Sequence, residues 1–264
     1  MIGLKDYETI VYEVKNRVAL IRLNRPEMMN ALEASLARDL VDAVRLAGAD
    51  PDVGSIVVTG TDKVFSSGGD LSRLMQGFEL VEGRQWLKEG YGQILELTRV
   101  GKPVIAAVNG YAVGAGFSLA LMCDLIYAAE SAKFGMAFIK VGAVPDCGAL
   151  YYLPRLVGLQ KAKELVFSGS NISAAEAKRI GIINDYYPDE ELLEKTMIVA
   201  ANLAEGPSVA LAQAKEILNA SGNLSLDLVM ELEIYAQSVC FQTEDHKEGV
   251  IAFLEKRKPN FKGR

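Results

Sequence analysis

Three places in the chain hold residues whose types and spacing can do chemistry. An apolar run, Pro103–Val108, ends in Asn109–Gly110, passes through Gly114–Ala115–Gly116 and re-enters Phe117–Met122, apolar apart from Ser118. Strand, small-residue turn and helix in that order set backbone N–H groups at a helix N-terminus, where they can bind an anion or a developing oxyanion. A second turn of this kind, Phe65–Ser66–Ser67–Gly68–Gly69–Asp70–Leu71, follows the apolar Ser55–Thr59. Gly68 and Gly69 let backbone approach a ligand closely, and Asp70 can cap the helix that follows. Alone, such a turn is an ordinary strand-to-helix connection. Its repetition lets two turns face each other and supply one N–H apiece to a single carbonyl oxygen. The third place, Val144–Pro145–Asp146–Cys147–Gly148, sets one carboxylate in an apolar loop. An oxyanion-binding turn and a lone acid suggest proton transfer on a carbonyl compound. As a plain turn residue, Asp146 would cap the helix that starts near Cys147. Cys147 has no histidine or other base in sight to activate it, so it reads as structural.

The elements that must position these residues are legible from patterning. Thr9–Val14 and Val18–Leu23 alternate and read as a hairpin. Asn30 can cap a helix carrying Leu32, Leu36, Leu40, Val44 and Leu46. Phe78–Leu97 reads as a long helix weakened by Gly83, Gly90 and Gly92, a candidate wall of a substrate pocket. Strands follow at Leu125–Ala129 and Lys133–Gly135. Beyond Gly148 come helices at Leu150–Val157, Gln160–Phe167 and Ser173–Ile180, the last opened by a Ser173–Glu176 capping box. A late strand, Ile182–Tyr186, precedes helices at Glu190–Leu203, Ser208–Ala220 and Leu226–Gln242 and one from Glu244 through Lys256. Strands alternating with helices, then helices alone, imply an α/β core over 1–200 and a helical region over 201–264.

Composition narrows the function classes. With 264 residues, 50% of them hydrophobic, the chain can bury a sizeable core. A net charge of -6 argues against a nucleic-acid or anionic-membrane surface. Cys123, Cys147 and Cys240 have no CxxC spacing and fit a reducing compartment, while the single histidine, His246, argues against a metal site or a Ser-His-Asp triad. The N-terminal MIGLKDYETIVYEV has neither the basic nor the long apolar part of a signal peptide, and no apolar run spans a membrane, so a cytoplasmic protein is expected.

The motifs LNRPEMMNAL, FSSGGDL, KPVIAAVNGYAVGAG, SAKFG and EGVIAFLEKRKPNFKGR, in this order, resemble the enoyl-CoA hydratase/isomerase, or crotonase, superfamily over nearly the whole chain. The resemblance implies a spiral of ββα units, a C-terminal α-helical trimerisation region, and a homotrimer or dimer of trimers. It implies acyl-CoA thioester substrates, so that coenzyme A comes as part of the substrate and no cofactor is bound permanently. Carried over by position, the oxyanion hole would be the backbone N–H groups of Ser67 and Ala115. Substrate contacts would come from Met28, Ser66, Gly68, Gly69, Asp70, Leu71, Gly114 and Lys256, with Arg257 and Lys258 also near the CoA phosphates or else on a solvated helix end. Phe138, Tyr151 and Trp86 would line the acyl pocket, with Tyr152 and Phe78 as further candidates.

Family hydratases carry glutamates where this chain has Ser118 and Phe138, so two-glutamate water addition is not available in its usual form. The remaining acid is Asp146. Its context resembles the epoxyphenylacetyl-CoA isomerases and related enoyl-CoA isomerases, whose PDxGG aspartate shuttles a proton; Ala149 stands here for the second glycine. Apolar neighbours such as Phe138, Val144 or Tyr151 would raise its pKa. The expected reaction is a double-bond shift through an enolate, with Asp146 as acid/base. The alternatives are a hydratase with an unusual site and a non-catalytic acyl-CoA-binding protein. Dehalogenation of the 4-chlorobenzoyl-CoA type ranks low, because His246 lies far along the chain from the motifs.

Overall fold

The computed structural model describes residues 6–264, and the side chains of all of these except 74 and 91–93. Residues 1–5, part of the N-terminal stretch discussed above, lie outside the described residues. Strands β1 (Ile10–Lys15) and β2 (Val18–Leu23) pair antiparallel, Ile10 opposite Leu23 and Lys15 opposite Val18. Asn16 and Arg17 turn the corner at φ of 51° and 61°, the two-residue left-handed turn whose twist matches a hairpin. A 3₁₀ turn, Pro26–Met28, leads to α1 (Ala34–Ala49), which buries Leu36, Leu40, Ala43, Val44 and Ala47 at helical spacing.

The next units share a plan. β3 (Ser55–Thr59), β4 (Val64–Ser66) and α2 (Leu71–Met75) are followed by α3 (Leu80–Ile94) and α4 (Glu96–Arg99). β5 (Val104–Val108), β6 (Tyr111–Val113) and α5 (Ala115–Leu121) repeat it. β7 (Leu125–Ala129) and β8 (Lys133–Gly135) then lead through a 3₁₀ turn, Ala137–Val141, to α6 (Ala149–Val157) and α7 (Leu159–Ser168). After these come β9 (Asn171–Ser173), α8 (Ala174–Arg179), β10 (Asp185–Tyr187), α9 (Leu192–Ala204), α10 (Ser208–Ser221), α11 (Leu226–Cys240) and α12 (Glu244–Glu255). The first strand of each unit joins a six-stranded sheet ordered β1-β2-β3-β5-β7-β10, and the second joins a four-stranded sheet ordered β4-β6-β8-β9. Each unit therefore steps from one sheet to the other and turns into a helix, winding the chain as a spiral. The wholly buried β3 and β5 form the centre of the larger sheet, as parallel strands covered on both faces require.

Several expectations are corrected. Asn30 does not cap α1: Glu33 stands at that position, and Asn30, at φ 50°, bonds instead to Arg25 N–H and Val64 carbonyl. The Phe78–Leu97 helix is two helices that part at Leu95, not at its glycines. The late strand begins at Asp185, because Ile182 and Ile183 are buried outside the sheet ladder. Ser173 does cap α8, accepting from Glu176 N–H at 3.2 Å, but the Glu176 carboxylate pairs with Arg179 and Lys161 instead of reaching back. Among the described residues no helix is long and apolar enough to cross a membrane.

Candidate active site

β4 delivers Ser66, buried, whose Oγ donates to Asn30 carbonyl at 2.8 Å and accepts from Gly68 N–H at 3.2 Å. Gly68 sits at φ 97°, and a Cβ there would lie 2.7 Å from Val113 carbonyl and 3.1 Å from Ala115 N. The two turns therefore lie against each other, as their repetition suggested. A Cβ on Gly116 would come within 2.3 Å of Ser66 carbonyl, so the first turn of α5 rests directly on the end of β4. Only glycine permits that approach.

The donors differ from expectation at one position. Ser67 N–H donates to Met29 carbonyl at 3.0 Å, so it is committed inside the protein. The N–H of Gly69 meets no acceptor among the described residues, and that of Ala115, first residue of α5, has none within its helix. Gly69 is the group that sequence reasoning assigned only a general contact. Asp70 behaves as expected: its Oδ1 accepts from Ser72 N–H and hydroxyl at 2.8 and 2.7 Å, and the Ser72 hydroxyl bond holds its carboxyl below the ordinary range. Leu71 opens α2 and is exposed, and Met28 is half-buried in the 3₁₀ turn just before Met29.

All seven residues of α5 are buried. Ser118 Oγ donates to Gly114 carbonyl at 3.3 Å, one helical turn back. Phe138 is also buried, and a Cβ on Gly114 would meet its ring at 3.8 Å, so the phenyl edge rests on the same turn. Past Phe138 the chain runs through Ala143, whose N–H donates to Phe138 carbonyl, to Asp146. Asp146 carbonyl accepts from Ala149 N–H at 3.0 Å as α6 begins, and α6 packs on α5. Its carboxyl oxygen Oδ1 is buried. Val144, expected to shield the acid, is 69% exposed and does not. Cys147 is half-buried at φ 48°, and burial with the Asp146 charge pushes its thiol well up.

The other residues read as pocket or contact residues fall in three groups. Trp86 of α3 stacks on Phe78 with ring centroids 5.0 Å apart, and Arg73 of α2 lies over Phe78, so this cluster ties α3 to α2 through the link between them. Tyr151 is turned to the C-terminal helices: Arg155 covers its ring at 3.5 Å, and its hydroxyl accepts from Asn223 Nδ2 at 2.9 Å. Tyr152 packs edge-on to Tyr151 and over Gly148. In the basic tail Arg257 pairs with Glu248 and Glu255, and Lys258 with Glu205. Lys256, in a left-handed C-cap, is exposed and has no ion pair among the described residues. Among the described residues no group of three or more His, Cys, Asp or Glu could hold a metal ion.

Two sheets joined by ββα steps, with paired turns meeting beneath a buried helix, define the crotonase fold. Residues 13–264 match the enoyl-CoA hydratase/isomerase family, and the chain belongs to that family of enzymes. It is 42% identical to a probable mitochondrial enoyl-CoA hydratase of Dictyostelium discoideum, over 97% of this chain and 92% of that protein. It is 39% identical to a crotonyl-CoA hydratase of Syntrophomonas wolfei, over 97% and 98%. Among solved structures, an enoyl-CoA hydratase/isomerase from Cupriavidus metallidurans superposes with a TM-score of 0.92 at 36% identity, covering 98% of each chain.

Proposed function

We propose that this enzyme moves the double bond of an enoyl-CoA thioester, in the manner of the epoxyphenylacetyl-CoA and related isomerases. One observation carries the reading. The buried side chains beside the Gly114 turn, Ser118 and Phe138, bear no carboxyl, while Asp146, with its Oδ1 buried, lies just before α6, the helix that packs on α5. In this reading the thioester oxygen lies between the N–H groups of Ala115 and Gly69, which stabilise the enolate as a proton leaves. Asp146 takes the proton from one carbon and returns it to another. One acid suffices, because the proton is conserved overall. Coenzyme A arrives as part of the substrate, with Lys256 free to meet its phosphates and no further cofactor needed. Asp146→Asn keeps shape but loses the base, so it is expected to bind acyl-CoA normally and lose about 10²–10⁴-fold in isomerisation. Separate incubations with 2-enoyl-CoA and 3-enoyl-CoA, followed by mass, check it. A new chromatographic peak of unchanged mass supports isomerisation.

The names of the relatives favour a second reading, hydration at an unusual site with Asp146 directing water. Gain of one water by the 2-enoyl substrate, abolished in Asp146→Asn, would replace the first reading with this one. Binding of acyl-CoA with no turnover of any thioester would leave a binding protein. For the assembly, the exposed apolar residues Ile234, Tyr235, Phe253 and Leu254 on α11 and α12 support self-association as a homotrimer or a dimer of trimers. Light scattering of the purified protein tests this directly.

A further inference from the structure

We propose that Asn30 is a positioning residue for the Gly69 donor: its buried side-chain amide locks the turn over 25–32 to β4, and that turn engages residues 66–68 one after another, so that the N–H of Gly69 is left open and held in place. The inference rests on the proposed reading in which Gly69 and Ala115 polarise the thioester. A chain of hydrogen bonds carries it. Asn30 is wholly buried. Its Oδ1 accepts from Arg25 N–H at 2.8 Å, and its Nδ2 donates to Val64 carbonyl at 3.0 Å and to Thr61 Oγ1 at 3.3 Å. One end of the amide closes its own turn, and the other holds the first residue of β4, the strand that leads to the Gly69 turn.

Met29 and Asn30 both take left-handed backbone, at φ 50° each, and their successive carbonyls meet the end of β4. Asn30 carbonyl accepts from Ser66 Oγ at 2.8 Å, and Met29 carbonyl accepts from Ser67 N–H at 3.0 Å. Leu32 N–H donates to Gly68 carbonyl at 2.7 Å, and Leu32 bridges to Gly69 in parallel. Gly68 N–H is taken in turn by Ser66 Oγ. The N–H groups of Ser67 and Gly68 are thus both committed, and that of Gly69 is the next along the chain. Gly69 is exposed and has no side chain to anchor it, so its direction is set by its neighbours. Asparagine suits the anchoring position, because it tolerates a left-handed backbone and its amide accepts and donates at once. An oxyanion donor acts through its preorganised direction, and a misplacement of about 1 Å can cost about 10²-fold in rate.

The test compares the full-length protein with Asn30→Gly, Ser66→Ala and Ser55→Ala. Glycine accepts the left-handed backbone, so Asn30→Gly removes the side-chain bonds without straining the chain. The probe is butyryl-CoA isotopically labelled at its thioester carbonyl carbon. It has no double bond to move, and its carbonyl stretching band falls in wavenumber when N–H groups polarise it. On the parent the bound band should lie well below that of the free thioester; on Asn30→Gly it should lie closer to the free position. With enoyl-CoA, kcat of Asn30→Gly should fall about 10- to 100-fold while KM changes far less. Ser66→Ala frees Asn30 carbonyl and Gly68 N–H and should move band and kcat in the same direction, and it decides the question where Asn30→Gly does not fold. Ser55 Oγ donates to Ala200 carbonyl at 2.8 Å, apart from the Gly69 turn, so Ser55→Ala should lose stability and keep both band and kcat. A parental band and kcat in the deciding variant overturn the Asn30 role alone, as does an equal loss in Ser55→Ala. A parent whose band does not move on binding butyryl-CoA overturns the two-donor reading and the positioning role together.

Discussion

Ser118 is wholly buried, and its hydroxyl is already satisfied by the Gly114 carbonyl. Ser118→Ala should therefore leave turnover within a few-fold and lower stability by about 1 kcal/mol, read from urea unfolding alongside the rate assay. A loss as deep as that of Asp146→Asn would put the hydroxyl in the proton path. Ala115 is the sharper test of the backbone donors. It is the first residue of α5, a position where proline is tolerated, so Ala115→Pro can fold while losing the N–H. About 10²–10³-fold lower kcat is expected, with Ala115→Gly close to the parent. Parental kcat in a folded Ala115→Pro would move the thioester oxygen elsewhere. These positions were legible because a glycine turn and a lone acid announce themselves in sequence. The distinction between Ser67 and Gly69 was not. Which N–H of that turn stays open depends on Met29, whose carbonyl arrives from a distant turn and claims Ser67.

Among the elements, α10 is joined to the core by one cation. Lys215 Nζ donates to Leu97 carbonyl at 3.0 Å, Lys102 carbonyl at 3.1 Å and Asp124 Oδ2 at 2.7 Å, and the same oxygen accepts from Val104 N–H. Burial pushes the Asp124 carboxyl up even though Lys215 pulls it down, so the pair is held by geometry against a desolvation cost. Lys215→Met strands that carboxylate and should cost near the lower end of about 3–5 kcal/mol, since Asp124 keeps some solvent contact. Chemical denaturation measures it, and adding Asp124→Asn should return part of the loss. A Lys215→Met protein as stable as the parent would show that α10 is seated by its other contacts, the Asn219 bond to Thr98 carbonyl among them. Long amphipathic helices such as α1 and α10 were readable from spacing. The three-residue strands β4, β6 and β9 were not, because so short a stretch carries no period and its pairing partners lie far along the chain. Asn30 had the right chemistry for a cap, but bonds across to Arg25 and Val64 claimed it first.

For the whole molecule, alternation of strands and helices announced an α/β chain, the ββα spiral came only with the family resemblance, and the division into two sheets only with the structure. The C-terminal end is closed by carboxylates. Asp245, buried, accepts from Lys262 and Gly263 N–H groups, and Glu248 accepts from Arg257 and from Asn260 N–H. The Arg257 bond, with Asn260, lowers the Glu248 carboxyl from 4.5 to about 2. A carboxyl lowered on folding stabilises fully above its unfolded value and loses that contribution as pH falls through its folded one. Protection of the amides over 256–264, taken relative to the intrinsic exchange rate at each pH, should therefore fall between about pH 4.5 and about 2, and in Glu248→Gln it should already be low at pH 7. Parent-like protection in Glu248→Gln would assign the closure to Asp245. A last consequence follows from the burial of α5 on every side. Mobile ions weaken interactions among exposed charges and hardly reach buried ones. On the proposed reading, a reaction polarised by neutral N–H groups at such a helix should keep its kcat as salt rises, while KM should climb as the proposed Lys256 contact to the CoA phosphates, in open water, is screened.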